Sequence, residues 1–140
     1  MIETALVCLA LNIYHEARNQ PTIGQVAVGQ VVMNRVRDER FPDTVCGVVK
    51  QGQTYSWQPD LPIRNKCQFS WWCDGKSDRP QDEEAWERAL LLASGVYLDK
   101  LHDFVEGSTH YHAIYVLPDW HESKQYVVRI NDHVFYKWEK

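Results

Sequence analysis

The sequence predicts an α+β fold that is mainly helical and ends in a small β-hairpin. Three stretches repeat apolar residues at the three- and four-residue spacing of an amphipathic helix. Near the C-terminal end, the β-type runs 125–130 and 133–138 flank Asn131-Asp132, a composition typical of a two-residue hairpin turn. The whole length, 1–140, is expected to form a single domain with its own core.

Composition and charge narrow the choice of partners. The net charge of -4 comes without a long basic run, so a nucleic-acid partner is not expected. The longest apolar run, Ala5 to Leu11, is too short to cross a membrane and lacks the flanks of a signal peptide. We expect a soluble monomer without stable membrane association, made without its own export signal.

Two helices are predicted in the first part of the chain. The first runs from about Glu3 to Ala17. Thr22 opens the second, and Gln25 three residues later completes the form of a capping box. Gly24 and Gly29 lower helix propensity, which indicates a close approach to another backbone, most simply that of the first helix.

The middle of the chain is predicted to contain a short helix, a long loop and a third long helix. Residues 44–50 form a short apolar segment of helical type, and residues 51–79 are expected to be loop. Ser77 or Asp78 is the predicted cap of the third helix, and Gly95 is its predicted end.

Glu16 is an acidic residue on the core-facing side of the first helix. Leu9 and Ile13 are one turn apart and Glu16 lies two turns beyond Leu9, so all three share one face. Burial disfavours the charged form of a carboxyl group and raises its pKa, which is the property that a general acid needs near neutral pH. Glu16 is therefore the first candidate for a catalytic acid.

The alternative for Glu16 is a structural role. Near a helix end, the carboxylate would cap the helix or pair with Arg18 or Arg35. Asn34 and Arg35 lie on or beside the buried stripe of the second helix, and they are candidates for holding Glu16 in place. The helical pattern alone favours neither interpretation.

The predicted loop is rich in aromatic residues interleaved with amides and hydroxyls. Stacking faces beside hydrogen-bonding groups are what a sugar-binding groove needs, whereas the alternative is a cluster that packs under the loop. The residues concerned are Tyr55, Trp57, Phe69, Trp71 and Trp72, among Gln53, Gln58, Gln68 and Ser70.

The four histidines after residue 109 raise the question of a metal site. His110 and His112 would face the same way on a strand, and with His133 and perhaps His121 they would form a zinc site. Neutral imidazoles that bind substrate are the competing interpretation. Because no HExxH motif or closely spaced Cys ligand accompanies them, neither a metal nor another cofactor is expected.

The four cysteines leave the redox state open. Cys8 lies in the apolar run of the first helix and is expected to be a buried thiol. Cys67 and Cys73 are close enough in sequence to form a disulfide, with Cys46 as a competing partner. Such a bond would form only in an oxidising compartment.

Nine short blocks of the chain resemble, in order, the SleB-type cell wall hydrolases. This family comprises the spore-cortex lytic enzymes and related bacterial and phage peptidoglycan hydrolases, and the resemblance covers nearly the whole chain. The blocks that carry it are Tyr14-His15-Glu16-Ala17-Arg18, 24–28, Val32-Met33-Asn34-Arg35, 41–49, Cys67-Gln68-Phe69-Ser70, 73–75, Thr109-His110-Tyr111-His112, Pro118-Asp119-Trp120 and His133-Val134-Phe135-Tyr136.

The resemblance implies a lysozyme-like, lytic-transglycosylase-like domain that cleaves the bond between N-acetylmuramic acid and N-acetylglucosamine in bacterial peptidoglycan. It implies that Glu16 is the catalytic acid. A free-standing domain without a wall-binding repeat resembles a phage or prophage endolysin. Such a protein is made in the host cytoplasm and acts in the periplasm or cell wall after release. The candidate substrate-binding residues are Tyr14, Gln68, Phe69, Ser70, Tyr111, His112, Trp120, His133 and Tyr136.

The mechanism is expected to use one carboxyl group. Glycosidases usually use two carboxylates, but Asp43, Asp60, Asp74 and Asp119 all lie in turn-like contexts and none stands out. A single acid suffices for a lytic transglycosylase, in which the 6-hydroxyl of the muramic acid is the nucleophile. The alternatives are a muramidase that uses water, a zinc-dependent N-acetylmuramoyl-L-alanine amidase and a non-catalytic glycan-binding domain.

Overall fold

A computed structural model describes residues 4–139 and contains four α-helices, five strands and two 3₁₀ helices in that range. The elements in chain order are α1 Ala5–Ala17, α2 Thr22–Val36, α3 Val45–Val49, β1 Gly52–Tyr55, β2 Gln58–Cys67, a 3₁₀ helix Ser70–Cys73, α4 Glu83–Tyr97, β3 His110–Ala113, a 3₁₀ helix Asp119–Ser123, β4 Gln125–Ile130 and β5 His133–Lys137. None of the helices in this part of the chain is long and apolar enough to cross a membrane.

Helix α1 is the centre of the helical part and packs against α2, α3 and α4. Its residues Leu9 and Ile13 are fully buried, as the periodic pattern predicts. The side chain of Thr4 caps α1 by accepting a hydrogen bond from the backbone of Val7 at 3.2 Å. Glu3, the predicted first residue of this helix, lies outside the described residues.

Three details predicted for the ends of α2 and α4 are wrong, although the predicted start of α2 at Thr22 is correct. Thr22 begins α2, but Pro21 occupies the cap position and no side chain caps the helix there. Gln25 instead donates to the backbone carbonyl of Gln20 at 3.0 Å, so the predicted capping box does not form. Asp82, rather than Ser77 or Asp78, caps α4 by accepting from the backbone of Ala85 at 3.1 Å, and α4 continues beyond Gly95.

The two glycines of α2 adjoin different neighbours. A Cβ at Gly29 would lie 3.0 Å from Ile13 Cδ1, so this glycine brings α2 close to α1, as predicted. A Cβ at Gly24 would instead lie 3.1 Å from the side chain of Asn131, in the β4–β5 turn. For Gly24 the predicted approach to the first helix is wrong.

The predicted loop over residues 51–79 is wrong in its first half. Strands β1 and β2 form an antiparallel hairpin, with Gly52 opposite Cys67 and Tyr55 opposite Gln58. Nearly every residue of this hairpin is exposed on both faces. The sequence therefore lacks the apolar alternation that normally identifies a strand.

The C-terminal sheet has the order β3-β5-β4, and all its neighbouring strands are antiparallel. The predicted hairpin is confirmed, because Ile130 pairs with His133 across Asn131 and Asp132, and Asn131 has a positive φ of 51°. Phe135 of β5 is fully buried in a small cluster with residues of α2. This packing fixes the sheet against the helix that carries Arg35.

Both pairs of cysteines form disulfides. Cys67 bonds to Cys73, one of the pairings that the sequence leaves open, and the pair encloses residues 68–72. Cys8 bonds to Cys46, so the prediction that Cys8 is a buried thiol is wrong. The second bond joins α1 to α3, which brings together residues 38 positions apart in the sequence.

Candidate active site

Glu16 lies in the last turn of α1, where its half-buried side chain meets the C-terminal sheet. The hydroxyl of Tyr111, on β3, donates a hydrogen bond to Glu16 Oε1 at 2.5 Å. A short hydrogen bond of this kind fixes the orientation of the carboxyl group. The residue predicted as catalytic and one of the predicted substrate-binding residues are thus in direct contact.

Burial governs the ionisation of Glu16. Desolvation raises the pKa of its carboxyl group above the ordinary value of 4.5, while the bond from Tyr111 and the charge of Arg35 act in the opposite direction. The pKa of Tyr111 is also raised, chiefly by burial and then by the neighbouring Glu16. Tyr111 therefore stays protonated and remains a hydrogen-bond donor at neutral pH.

Arg35 and its neighbour Asn34 join α2 to the segment that leads into β3. Arg35 Nε donates to the carbonyl of Thr109 at 2.7 Å, and Asn34 Nδ2 donates to the carbonyl of Ser108 at 2.9 Å. The two carbonyl groups belong to residues two and three positions before Tyr111 in the chain. The two side chains therefore hold the strand whose tyrosine contacts Glu16.

Two cavities meet at Glu16. The smaller one, of about 110 Å³, is lined by Glu16, Arg35, Gln68, Phe69, His110, Tyr111 and Trp120. The larger one, of about 370 Å³, is lined by Tyr14, His15, Glu16, Arg18, Ser70, Trp71, Asp74, Lys76, Ser77, Asp78, Arg79 and Gln81. Residues 68–71, which lie between Cys67 and Cys73, contribute to both. A carboxyl group shared by two adjoining cavities suits cleavage of a bond between two sugar units.

The predicted aromatic groove divides into two parts. Phe69 and Trp71 are only 3% and 6% exposed and belong to the main core, so for most of their surface the packing alternative is correct. Trp71 Nε1 donates to Asn12 Oδ1 at 2.9 Å. Tyr55 and Trp57 instead lie at the exposed tip of the β1–β2 hairpin, with their ring centroids 5.4 Å apart.

Tyr14 contacts the larger cavity but also has a structural role. Its hydroxyl accepts hydrogen bonds from the backbone of Gln81 at 2.9 Å and of Asp82 at 3.0 Å, at the start of α4. Ser70 and Gln68 are exposed residues on the rims of the larger and smaller cavities, respectively. These three predicted substrate-binding residues therefore lie around Glu16.

The remaining predicted substrate-binding residues lie farther along the sheet. Tyr136 donates to His112 Nε2 at 2.9 Å, and both rings contact Trp120, which lines the smaller cavity. His133 faces the other side of β5, because it is three residues from Tyr136 and strand side chains alternate. It is 8% exposed and packs on Tyr111 at a centroid distance of 5.2 Å.

The histidines do not converge in the way a zinc site requires. His110 and His112 share one face of the sheet and His133 lies on the other. Within residues 4–139, no three His, Cys, Asp or Glu side chains come close enough together to hold a metal ion. Burial, and then the charges of nearby Arg35 and Lys124, lower the pKa of His110 to about 4.

Two residues beside Glu16 were missed by sequence reasoning. His15 stacks on Trp71 at a centroid distance of 4.6 Å and donates from Nε2 to the carbonyl of Asp78 at 2.8 Å. His110 lines the smaller cavity, whereas the sequence leaves it open between a metal ligand and a substrate-binding imidazole and does not place it among the candidate substrate-binding residues. The position of His15 next to Glu16 in the sequence is a signal that could have identified it. Its stacking on Trp71, 56 positions away, leaves no signal in the sequence.

The site thus consists of a half-buried carboxyl group that lines two cavities of a mainly helical domain, and comparison with known proteins specifies the family. Residues 19–136 match the Cell Wall Hydrolase family. The chain belongs to that cell wall hydrolase family. Glu16 lies just before the matched stretch, whereas Arg35 and Tyr111 lie within it.

The sequence relatives are spore cortex-lytic enzymes. The one from Halalkalibacterium halodurans is 31% identical over 132 residues, which cover 91% of this chain and 33% of that enzyme. The one from Bacillus cereus is 42% identical over 55 residues, or 39% of this chain and 21% of that enzyme. The chain thus spans about a third of the length of the first relative.

Two solved structures have the same fold. The catalytic domain of the germination-specific lytic transglycosylase SleB from Bacillus anthracis matches with a TM-score of 0.67 and 25% identity, covering 98% of this chain and 97% of that one. The catalytic domain of Bacillus cereus SleB matches with a TM-score of 0.63 and 26% identity, covering 98% and 93%. The predicted lysozyme-like α+β fold and the SleB-type resemblance are confirmed.

Proposed function

We propose that this protein cleaves the bond between N-acetylmuramic acid and N-acetylglucosamine in peptidoglycan, as a lytic transglycosylase with Glu16 as its single acid and base. The observation that carries the proposal is the Glu16 carboxyl group, whose pKa burial raises and which Tyr111 orients where two cavities meet. Membership of the cell wall hydrolase family and likeness to a lytic transglycosylase catalytic domain support it.

The reaction has two proton transfers at the same carboxyl group. Glu16 first donates its proton to the glycosidic oxygen, the bond from that oxygen to C1 of the muramic acid breaks, and the other sugar leaves as an alcohol. The 6-hydroxyl oxygen of the muramic acid then bonds to C1 and its proton passes to the Glu16 carboxylate. The product is a 1,6-anhydro end, and Glu16 is again protonated for the next cycle.

A hydrolytic muramidase is the second candidate. Asp74 and Asp78 line the larger cavity together with Glu16, and a second carboxylate is what a hydrolytic glycosidase uses to activate water or to form a glycosyl intermediate. In that case Asp74→Asn or Asp78→Asn would abolish activity as completely as a change at Glu16. In the proposed transglycosylase these two variants keep most of the activity.

We further propose that the protein acts in the periplasm or cell wall, as an endolysin released from its host's cytoplasm. The two disulfides support action outside the cytoplasm, because such bonds persist in oxidising compartments. Expression in a bacterial cytoplasm is expected to leave the cells intact until the inner membrane is permeabilised. Lysis without permeabilisation, or no lysis after it, would contradict this role.

The products released from purified sacculi test which bond is cleaved. Glycan cleavage is expected to release muropeptides with intact stem peptides and to lower the turbidity of the suspension. An amidase would release free stem peptides and lose activity when a chelator is added. A non-catalytic domain would sediment with the sacculi without any fall in turbidity.

A further inference from the structure

Arg35 is a buried cation in the wall of the smaller cavity. It is 5% exposed, and Nε is fixed by its bond to the Thr109 carbonyl. The guanidinium carbon lies 4.8 Å from the ring centroid of Phe41 and 5.3 Å from that of Phe69. Stacking between two rings leaves the guanidinium group little freedom to move.

One end of this guanidinium group has no hydrogen-bond partner. Nη1 is buried and unbonded within the part of the chain that the structure describes. A buried N–H of a charged group without an acceptor is costly, and neither the Thr109 carbonyl nor the two rings carry a negative charge, so a negatively charged partner at longer range is expected. The acid that shares the cavity with Arg35 is Glu16.

We propose that Arg35 is a positioning residue that sets the proton affinity of Glu16, so that one carboxyl group can both give up its proton and take it back. The inference rests on the proposed function, because only a single-acid mechanism needs both transfers from one residue. Burial alone favours the protonated carboxyl group and would make it a weak acid. The fixed charge of Arg35 stabilises the carboxylate that develops as the glycosidic bond breaks, and it does so without contacting substrate.

The other charged and titratable groups around Glu16 differ from Arg35 in charge or in burial. Tyr111, on β3, stays neutral and donates its hydrogen bond, and His110 is neutral at pH 7 because its pKa is about 4. The larger cavity contributes groups of both signs from the last turn of α1 and its C-cap and from residues 74–79, and its lysine and two arginines are exposed. These groups are His15, Arg18, Asp74, Lys76, Asp78 and Arg79. Arg35 is the buried cation of the smaller cavity and is screened least by water.

The test measures the ionisation of Glu16 directly rather than through activity. The carboxyl carbon of Glu16 is followed by NMR against pH in glutamate-labelled protein, and Glu16→Gln assigns its signal. In Arg35→Gln and Arg35→Met the midpoint is expected to rise by roughly one unit or more, the usual effect of removing a nearby opposite charge. Arg35→Lys keeps the charge and is expected to restore most of the original midpoint.

Arg37→Met is the matched control, since Arg37 is exposed at the end of α2 and lines neither cavity at Glu16. It removes the same charge and is expected to leave the midpoint unchanged. An unchanged midpoint in folded Arg35→Gln or Arg35→Met would overturn the proposal. A rise of the Glu16 midpoint in Arg37→Met as large as that in the Arg35 variants would also overturn it.

A measurement on the unaltered protein covers the case in which neither uncharged variant folds. The Nε–H signal of Arg35 is expected to shift with the same midpoint as the Glu16 carboxyl carbon and to lose that shift in Glu16→Gln. An Nε–H signal that does not shift as Glu16 ionises would overturn the proposal. Because neither readout depends on turnover, a failure here is distinguishable from a failure to cleave glycan, which muropeptide release reports.

Discussion

The hydroxyl of Tyr111 donates to the carboxyl group of Glu16 across a distance of 2.5 Å, between residues 95 positions apart in the chain. This bond joins the end of α1 to β3, and thus the helical core to the C-terminal sheet. Neither residue alone makes a site. Arg35 and Asn34 of α2 hold the segment just before β3 by hydrogen bonds to the carbonyls of Thr109 and Ser108.

Tyr111→Phe is expected to make Glu16 a weaker acid. The bond from the tyrosine favours the carboxylate, so its loss raises the pKa of Glu16. A hydrogen bond to a charged group contributes roughly 1.5–3 kcal/mol, which corresponds to about one to two pKa units. The alkaline limb of the pH–activity profile should therefore move upward by about that amount. Tyr126→Phe, at an exposed tyrosine, is the control, and an unmoved limb in Tyr111→Phe would contradict the account.

Glu16→Gln is expected to stabilise the protein at high pH. Because burial raises the pKa of Glu16 in the folded state, the stability contributed by the protonated group is present below the ordinary value of 4.5 and is lost as pH rises through the folded pKa. The amide is not subject to this loss. The melting temperature of the variant should therefore match that of the original protein at pH 4 and exceed it at pH 8, by about 3 °C per kcal/mol recovered. A lower melting temperature at pH 8 would mean that Arg35 compensates the burial of Glu16 completely.

Loss of each disulfide is expected to have a different effect. From the length of the loops that they close, the Cys8–Cys46 bond stabilises the fold by about 4 kcal/mol and the Cys67–Cys73 bond by about 2 kcal/mol. The double variant at Cys67 and Cys73 should nevertheless lose more activity, because that bond encloses the segment that lines both cavities. Denaturant unfolding and sacculus turbidity, measured on both double variants, separate the two effects. A larger loss of stability without the Cys67–Cys73 bond, or a larger loss of activity without the Cys8–Cys46 bond, would contradict this prediction.

Trp71→Ala and Trp57→Ala are expected to act on different properties. Trp71 is 6% exposed and bonded to Asn12, so its loss should cost about 3–5 kcal/mol of unfolding free energy. Trp57 is 71% exposed, so its loss should leave the melting temperature unchanged. If the exposed ring contacts glycan, the same variant sediments less with sacculi. Equal sedimentation of Trp57→Ala and the original protein would show that the ring has no part in binding.

The sequence predicted the elements whose apolar pattern repeats with helical or strand periodicity. The bounds of α2 and the β4–β5 hairpin follow from that pattern, because each buries one face. The β1–β2 hairpin buries neither face, so it has no such pattern and its sequence predicts a loop. The cap of α4 was misplaced because several residues before it, among them Ser77, Asp78 and Asp82, have capping side chains.

For the candidate site, the sequence predicts the core-facing position of Glu16 better than the surroundings of that residue. The helical phase of Glu16 with Leu9 and Ile13 is a local property and can be read directly. The contact with Tyr111 and the stacking of His15 on Trp71 depend on long-range packing that no local pattern encodes. The pairing of Cys8 with Cys46 is of the same kind, because a cysteine in an apolar helix face looks like a core residue.

The chemical form of the released glycan ends tests the central claim most directly. Muropeptides from sacculi digested with the purified protein are separated and weighed by mass spectrometry, with Glu16→Gln treated in parallel. The account predicts 1,6-anhydro-muramic ends in the digest and none above background in the variant, whose amide cannot donate the proton. Reducing muramic ends from the original protein, or anhydro ends from Glu16→Gln at a comparable rate, would contradict it.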